Sequence, residues 1–438
     1  MLSSGLAFLA GGVIGAELRI RSVDEFIQFK DNVNGGTDYY GTTVFLDSDL
    51  SLAGESFEPI GDYSNYFSGV FNGQGHVISN FKMNSSSQDV GLFGYSTGLT
   101  IKNVILDSSC SFTNTFSYSF GDASIGGIIG ICSGPCTIEN SVNMGSVSFS
   151  GSTGDILSLG GITGWLSSSD YNAIVKNCAN YGDVTDSGES GNTYIGGIVG
   201  DSQGSSSTKS VYIYNSLNHG TITYNGASSS ALYLGGISGW TSSTNIENCV
   251  SGGKISSTTS FHIGSIIGSI SSETVIDYTY FTSDLSDYNK YGSGTPSNES
   301  NTLSYSTSFE LSGTVSIGDY SGTSLIEALN AGSVYYKDRG YSQWLLNKGK
   351  NAVTFAINGN SSFTLNTQVI LLPSLASEEG MSFDGWYEDK DCKKLLKRST
   401  VEEVITLYGK YESDKSIAPS LFPHATLLLS FLISLVAF

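Results

Sequence analysis

The sequence predicts an all-β fold, a parallel β-helix whose stacked coils are closed by short helices, and two observations lead to it. First, a string of the form aliphatic-Gly-Gly-Ile-x-Gly recurs along the chain, with copies at 125–130, 159–164, 195–200 and 234–239 and looser copies at 90–94 and 263–268. Second, the segments between the copies are short and β-branched, and they alternate apolar with polar residues as half-buried strands do. No helical periodicity runs through them.

The length of the repeat selects a solenoid. The paired glycines advance by 34, 36 and 39 residues from Gly126 to Gly160, Gly196 and Gly235, and then by 29 residues to Gly264. A period in this range indicates a solenoid, a propeller or an array. A propeller blade needs four strands, whereas each unit offers three short apolar segments. We therefore expect stacked coils that bury one another's apolar faces.

The second half of each unit has its own signature, which predicts the corners of a coil. From residue 137 onward it reads TIENSVNMGSV, IVKNCANYGDV, IYNSLNHGTI and NIENCVSGGKI. Asparagines at equivalent positions are expected to form ladders along the axis, and glycines to take turns that other residues find strained. The loops between units are rich in serine and threonine, as insertions on one face of a solenoid would be.

Two short helices are expected to seal the ends of the stack, because a solenoid needs capped ends. At the start, Ser22 and Glu25 have the spacing of a capping box, apolar residues follow, and Gly35 ends the pattern. At the far end, SLIEALNAG at 324–332 has the same spacing and ends at Gly332.

The two termini predict an exported protein anchored at the cell surface. Residues 1–16 form an apolar run closing on a small residue, as a signal peptide cut near Ala16 does; without a basic start, a buried first strand is the alternative. Residues 413–438 pass from small polar residues to an uncharged tail, which predicts glycosylphosphatidylinositol attachment at Ser413 or Ser416. As a helix the tail spans about 21 Å against a bilayer core of about 30 Å, and a short transmembrane anchor is the alternative.

The charge distribution excludes one class of partner. The formal net charge is −20. Between Val104 and Tyr288 the basic residues are Lys176, Lys209 and Lys254. Binding to nucleic acid needs a basic stripe that neutralises phosphates, so we expect no nucleic-acid partner.

The cysteines and sequons are compatible with an exported protein. Cys132 and Cys136 are placed either to close a small loop as a disulfide or to remain two free thiols. Cys178 and Cys249 lie two coils apart, roughly 10 Å, which is too far for a bond, and are expected to be buried. The glycosylation candidates are Asn84, Asn298 and Asn360.

Four motifs follow one another in the segment 45–106. They are Asp47-x-Asp49-Leu50, Pro59-Ile60-Gly61, Phe67-x-Gly69-x-Phe71-Asn72-Gly73-x-Gly75-His76 and Gly91-Leu92-Phe93-Gly94. In this order they resemble the GLUG-motif repeat proteins, a group of surface and secreted β-helical proteins, and the Gly-Gly strings are later copies of the last motif. The resemblance implies a right-handed β-helix, which we place at 17–348.

A second pair of motifs lies near the C-terminus. They are Phe383-x-Gly385-Trp386-Tyr387 and Thr406-Leu407-Tyr408-x-Lys410-Tyr411. They resemble the Listeria–Bacteroides repeat, also called the internalin-B-type repeat, here in a single copy. The resemblance implies a small β-grasp-like module at 349–412, of a kind that serves as a stalk or an interaction domain on cell-surface proteins.

No catalytic, metal or cofactor site is predicted. Some GLUG repeats accompany IgA-cleaving metalloproteases, but the His-Glu-x-x-His zinc motif is absent. The histidines are isolated from one another at His76, His219, His262 and His424. Two acidic pairs, Asp47 with Asp49 and Asp284 with Asp287, are candidates for acid–base chemistry. Such chemistry needs a cleft that perturbs the pKa of the carboxyl groups, so we expect these pairs to cap turns instead.

The aromatic residues give the one indication of a binding surface. Trp165 and Trp240 follow their Gly-Gly strings at the same offset, and Asp201 takes the equivalent place between them. FSYSF at 116–120 would add three aromatic rings on one face if it were a strand. Packing at the corner of a coil is the preferred interpretation, and stacking on sugars is the alternative.

The sequence therefore predicts a non-enzymatic, lipid-anchored cell-surface protein. We expect an adhesin or ligand-display scaffold that binds a cell-surface or extracellular protein or a glycan through solenoid loops, with weak contacts adding by avidity. The small module is expected between the solenoid and the membrane. The alternatives are a polysaccharide-acting lyase or hydrolase and a structural coat protein without a specific ligand.

Overall fold

The computed structural model describes residues 15–413 except 56, 207, 209, 228–229, 260, 286, 350–351, 358–360 and 374–380. Short strands dominate, and equivalent strands of successive coils pair in parallel to form four sheets. This confirms the predicted parallel β-helix. Most of the predicted signal peptide, the apolar tail, Ser416 and Asn360 lie outside the described residues.

One coil contains five short strands rather than the three that we predicted. The coil that begins at residue 123 passes through Ala123–Gly126, Ile129–Ser133, Thr137–Glu139, Val142–Asn143 and Ser146–Phe149. The first two strands belong to sheet C, and the next three to sheets A, B and D respectively. Two of the five strands are only two or three residues long. An alternation of apolar and polar residues cannot be recognised over so short a segment.

The strands of each sheet follow one another coil by coil. Sheet A contains Ala16–Ile20, Thr42–Leu46, Val70–Asn72, Thr100–Lys102, Thr137–Glu139, Ala173–Lys176, Val211–Tyr214, Thr244–Glu247, Val275–Asp277 and Asn298–Ser300. Sheet B contains Leu50–Ser51, Val77–Ser79, Ile105–Leu106, Val142–Asn143, Ala179–Asn180, Leu217–Asn218, Val250–Ser251, Tyr280–Thr282 and Leu303–Tyr305, followed by the antiparallel Glu310–Ile317 and Tyr320–Ser324. Sheet D contains Lys82–Ser85, Ser111–Asn114, Ser146–Phe149, Val184–Asp186, Ile222–Tyr224 and Ile255–Ser257.

Sheet C consists of two ladders of strands, joined at a long strand that belongs to both. The first ladder contains Asp89–Val90, Ala123–Gly126, Ser152–Gly160, Glu189–Gly196 and Ala231–Gly235. The second contains Phe93–Ser96, Ile129–Ser133, Thr163–Ser168, Val199–Gly204 and Ser238–Ser242. Both pair with His262–Ser272, and the strands Ser117–Tyr118 and Asn289–Ser293 attach at the side.

Helix α1, Val23–Asn34, covers the first coil as predicted. Ser22 caps it by accepting a hydrogen bond from the backbone N–H of Glu25 at 3.2 Å. Phe26 and Phe29 are buried in the solenoid core. A cap whose apolar side enters the core replaces the missing neighbouring coil.

The repeated glycines serve close packing, and our expectation that they occupy strained turns was wrong. In GGITG, a Cβ on Gly161 would lie 2.2 Å from the Cγ of Asn180 and 2.4 Å from the oxygen of Gly197. A Cβ on Gly200, the last residue of the next copy, would lie 2.6 Å from the backbone nitrogen of Leu159. The last glycine thus lets the two ladders of sheet C touch backbone to backbone, and the middle one makes room for a buried asparagine.

Asparagines, instead of glycines, take the left-handed backbone at the corner between sheets A and B. Asn140, Asn177, Asn215 and Asn248 have φ of 52°, 54°, 43° and 53°. Their amides form the predicted ladder, with Nδ2-to-Oδ1 distances of 2.9, 2.8 and 2.7 Å between successive coils. Asparagine tolerates this conformation better than most residues, and its amide can both donate and accept.

The second helix, α2 at Leu325–Tyr335, does not cap the far end of the stack, contrary to our expectation. The chain turns back after sheet B, and α2 packs against the outward side of that sheet together with Trp344 and Val369. Its predicted stop, Gly332, lies inside the helix. A glycine is needed there because a Cβ would lie 2.3 Å from Oδ1 of Asn248. At the far end, the short 3₁₀ turn Ser283–Leu285 places Leu285 in the core instead.

The C-terminal module also lies along the side of the solenoid, against the outward face of sheet B. The outward positions of sheet B that it and α2 cover are all apolar: Val77, Ile105, Val142, Ala179, Leu217, Val250 and Tyr280. Phe355 of the module and Leu345, from the strand Trp344–Asn347 that pairs with strands of the module, share a buried cluster with the first three of them. Sheet B is therefore buried on both faces.

The module contains two small sheets. One has the order Val369–Leu371, Trp344–Asn347, Thr400–Val401. The other has the order Ser361–Leu365, Val353–Ile357, Ile405–Ser413, Met381–Tyr387, with a central parallel pair flanked by antiparallel strands. This mixed order agrees with a β-grasp-like sheet, although the described residues of the module include no helix.

Candidate functional site

A row of half-buried aromatic side chains lies on the outer face of sheet C, and we call it the aromatic strip. It consists of Trp165, Tyr194, Tyr233, Trp240 and His262. Three members stand directly before a copy of the glycine-rich string and two stand five places after its first glycine, so each ladder of sheet C contributes one column. The neighbouring residues on each strand point into the core, which leaves these positions facing outward.

The rings of the strip contact one another along and across the coils. Tyr194 and Tyr233 pair in register, with ring centroids 5.4 Å apart, and Tyr233 stacks on His262 at 5.0 Å. Tyr194 of the first column also stacks on Trp240 of the second, at 6.0 Å and an interplanar angle of 26°. The two columns therefore form one surface.

Asp201 interrupts the column of the two tryptophans. Its strand pairs with both neighbours in register, Trp165 on one side and Trp240 on the other. The side chain is 2% exposed; one oxygen accepts from Nε2 of Gln203 at 2.8 Å, and the other has no partner among the described residues. Nε1 of Trp165 is likewise buried without a partner there.

Burial raises the pKa values of two carboxyl groups on sheet C. The pKa of Asp201 rises to about 7, because burial disfavours the charged form and Asp122 adds repulsion. The pKa of Asp89 also rises to about 7, from burial first and then from repulsion by Asp122 and Asp62. At neutral pH both groups are partly protonated and able to donate as well as accept a hydrogen bond.

The chemistry of this face suits an uncharged, hydroxyl-bearing ligand. Aromatic rings offer flat faces for stacking, and carboxyl groups offer hydrogen bonds. A cleft of about 430 Å³ runs beside the first column, and Asp122 and Asp155 form part of its wall. The described residues provide no group of three or more His, Cys, Asp or Glu side chains able to hold a metal ion.

The structure brings the two predicted binding aromatics together with partners that sequence reasoning missed. Trp165 and Trp240 stand in one column, but Tyr194 and Tyr233 were not predicted. The signal was present, since both precede a Gly-Gly string at the same offset. FSYSF forms a strand only at Ser117–Tyr118, so the condition for one aromatic face is not met: Phe116 is buried in the core, whereas Tyr118 and Phe120 are exposed.

The first acidic pair, Asp47 with Asp49, has structural partners that join neighbouring coils. Asp47 pairs with Arg19 at 3.0 Å and accepts from Gln74, and Asp49 accepts from the backbone N–H of Val77 at 2.9 Å. Asp284 lies in the 3₁₀ turn at the far end. These bonds fasten one coil to the next.

The remaining predicted sites fall at the surface and at a loop. Cys132 and Cys136 are joined in a disulfide, while Cys178 and Cys249 are buried free thiols. The sequon residues Asn84 and Asn298 are exposed on strands of sheets D and A, and Ser413 ends the last strand of the module. Within the described part of the chain, no helix has the length and apolarity needed to cross a bilayer.

Comparison with known proteins does not identify a function for the aromatic strip. No family model matches the chain, and neither does any curated protein. Among solved structures, a crystal structure from Bacteroides ovatus, described as a "putative immunoglobulin A1 protease", superposes with a TM-score of 0.46 and 19% identity over 72% of this chain and 86% of that one. At this similarity it carries no argument about activity, and the resemblances to the GLUG and Listeria–Bacteroides repeats stay predictions.

Proposed function

We propose that this chain is a non-enzymatic cell-surface protein, an adhesin whose ligand is a glycan and whose binding surface is the aromatic strip. The observation that carries the proposal is the continuous contact of Tyr194, Tyr233, Trp240 and His262 on an outward face. Rings that only filled a coil would point inward, as the phenylalanines of the first coils do. Exposed rings on a rigid sheet lose little conformational freedom when they stack on a sugar.

The surface location rests on the two termini predicted from the sequence. The test is the release of the protein from intact cells by a phospholipase that cleaves glycosylphosphatidylinositol. Release together with the adhesive activity supports the lipid anchor, whereas retention in the membrane fraction would favour the short transmembrane segment. The extended solenoid would then hold the strip away from the bilayer.

The binding role is tested by a glycan array probed with purified protein. We expect binding to a restricted set of neutral glycans, and a loss of roughly three- to tenfold in affinity for Trp240→Ala. The matched control is Tyr171→Ala, which removes an aromatic side chain that is 63% exposed outside the strip. Binding to no glycan, or an equal loss in both variants, would contradict the proposal.

A polysaccharide-acting enzyme is the second candidate, and the raised pKa values of Asp89 and Asp201 favour it. Glycosidases need a carboxyl group that still holds its proton near neutral pH and can act as a general acid, and a raised pKa provides such a group. The test measures new reducing or unsaturated ends after incubation with each polysaccharide that binds. Turnover that Asp201→Asn abolishes, with binding unchanged, would establish the enzyme and replace the adhesin.

A further inference from the structure

We propose that the ligand of the aromatic strip is an extended, uncharged chain of β-1,4-linked hexoses that lies parallel to the solenoid axis, with one sugar per coil. This inference rests on the glycan-binding role proposed above and gives it a ligand class and a direction. It follows from the spacing of the rings, from the two unpartnered polar groups between them, and from the charge of the surroundings.

The spacing of the strip matches such a chain. Equivalent residues of successive coils pair in register, from Tyr194 to Tyr233 to His262, so the ring positions repeat with the spacing of strands. That spacing is about 4.8 Å, and an extended β-1,4-linked hexose chain advances by roughly 5 Å per sugar. A chain along the axis therefore stays in step with the coils over the length of the strip.

The column of Trp165, Asp201 and Trp240 matches the two-residue period of the same chain. The tryptophans are two strands apart, or roughly 10 Å. Because each sugar of a β-1,4-linked chain is turned over relative to the last, every second sugar presents the same face. Two indoles at this distance can stack on sugars n and n+2, which leaves Asp201 opposite the sugar between them.

The middle sugar would meet two polar groups that lack partners in the protein. The unpartnered oxygen of Asp201 and Nε1 of Trp165 are both buried, and buried polar groups normally have hydrogen bonds. A sugar hydroxyl can accept from an indole N–H or donate to a carboxylate oxygen, so a hydroxyl-bearing ligand offers a partner to each group. An apolar ligand would leave both groups unsatisfied.

The charge of the surroundings argues for an uncharged chain. Asp89 and Asp122 lie near the same end of sheet C and repel each other. Between Val104 and Tyr288 the basic residues number only three. A polyuronate or sialylated glycan would bring like charge to an acidic surface without basic partners.

The experiment is isothermal titration of the purified protein with β-1,4-linked oligosaccharides of two to six sugars, both glucose and N-acetylglucosamine series. We expect affinity to rise at least tenfold between two and four sugars, because three are needed to reach from one tryptophan to the other. Maltohexaose, which is α-linked, and oligogalacturonate should bind at least tenfold more weakly. The series that binds more tightly identifies which neutral chain is the source.

Variants connect this length dependence to the strip. Trp165→Ala and Trp240→Ala should each lower affinity for the hexamer by roughly three- to tenfold and abolish the gain from two sugars to four. Asp201→Ala should lower affinity at every length from three upward, whereas Tyr171→Ala should change nothing. Circular dichroism confirms that each variant is folded.

The outcomes separate this inference from the proposed function. If wild-type protein binds glycans and needs Trp240, but prefers α-linked or anionic chains or shows no dependence on length, the chain class is wrong while the adhesin stands. If it binds no glycan on the array, both fail. Binding confined to a protein ligand would likewise refute both.

Discussion

Replacing Asn215 by alanine should detach the C-terminal segment from the solenoid. Asn215 is fully buried, and its amide donates to Oδ1 of Asn177 at 2.8 Å and to the backbone oxygen of Ser342 at 3.0 Å. Its oxygen accepts from Nδ2 of Asn248 at 2.7 Å and from Nε1 of Trp344 at 2.8 Å. Asn215 therefore joins two neighbouring coils to each other and to the returning chain.

The expected loss of folding free energy follows from the hydrogen bonds that Asn215→Ala would remove. Nε1 of Trp344 would lose its partner, which costs about 1–3 kcal/mol. Asn177, Asn248 and Ser342 each keep another hydrogen bond, so each lost bond there costs about 0.5–1 kcal/mol, and the sum is about 3–6 kcal/mol. Alanine at a φ of 43° adds about 1 kcal/mol of backbone strain. The control is Asn140→Ala, at the same corner with a φ of 52°, whose oxygen accepts only from Asn177 among the described bonds. We expect it to cost about 2–4 kcal/mol less.

Hydrogen exchange measured by mass spectrometry tests where the loss falls. In Asn215→Ala, amides of α2 and of Trp344–Asn347 should exchange much faster than in wild type, because this segment can open without unfolding the stack. Asn140→Ala should leave them protected. Equal exchange at these amides in the two variants would refute the view that the asparagine ladder holds the C-terminal segment.

Two further predictions concern the solenoid itself. Gly197→Ala should lower the free energy of unfolding by at least about 2 kcal/mol, because the new Cβ would lie 2.1 Å from Cγ of Asn218 and 2.4 Å from a backbone oxygen. The control is Gly313→Ala, whose new Cβ would have its nearest neighbour at 3.6 Å. In the same urea titration its free energy of unfolding should stay within about 0.5 kcal/mol of wild type. Stability should also fall as the pH rises from about 4 to 7, because the folded state holds a proton on Asp201 up to a pKa of about 7 whereas the unfolded chain releases it near 3.8. Asp201→Asn should reduce this slope in urea midpoints measured at pH 4 and pH 8, and an unchanged slope would mean that Asp201 is ionised in the fold.

The charged contacts around Arg339 show how the returning chain completes its docking. The guanidinium lies over the rings of Tyr214 and Tyr336, at 4.6 and 4.9 Å, and pairs with Glu247. Tyr341 donates to the same carboxylate. Together with the asparagine ladder, these bonds link the returning chain to three coils that lie far from it in sequence.

The sequence by itself determined the repeat, the first helical cap and the asparagine ladder. Each is written in local patterns: a string that recurs every 29 to 39 residues, a capping box at Ser22, and an asparagine at the same place in four successive units. Such patterns are legible because a solenoid coil contacts mainly its sequence neighbours. The two-residue strands escaped notice because they are shorter than the pattern that would reveal them.

Only the tertiary structure decided where the C-terminal third goes and what the outer face of sheet C offers. The outward column of sheet B is apolar from Val77 to Tyr280, and that signal could have predicted a cover, but not which segment provides it. Likewise, the sequence placed Asp201 at a position equivalent to the two tryptophans, but only the stacked coils show that it is buried and that Tyr194 stacks on Trp240. Burial, contact between columns and the pKa of a carboxyl group depend on residues distant in sequence, and these are known only once the coils are stacked.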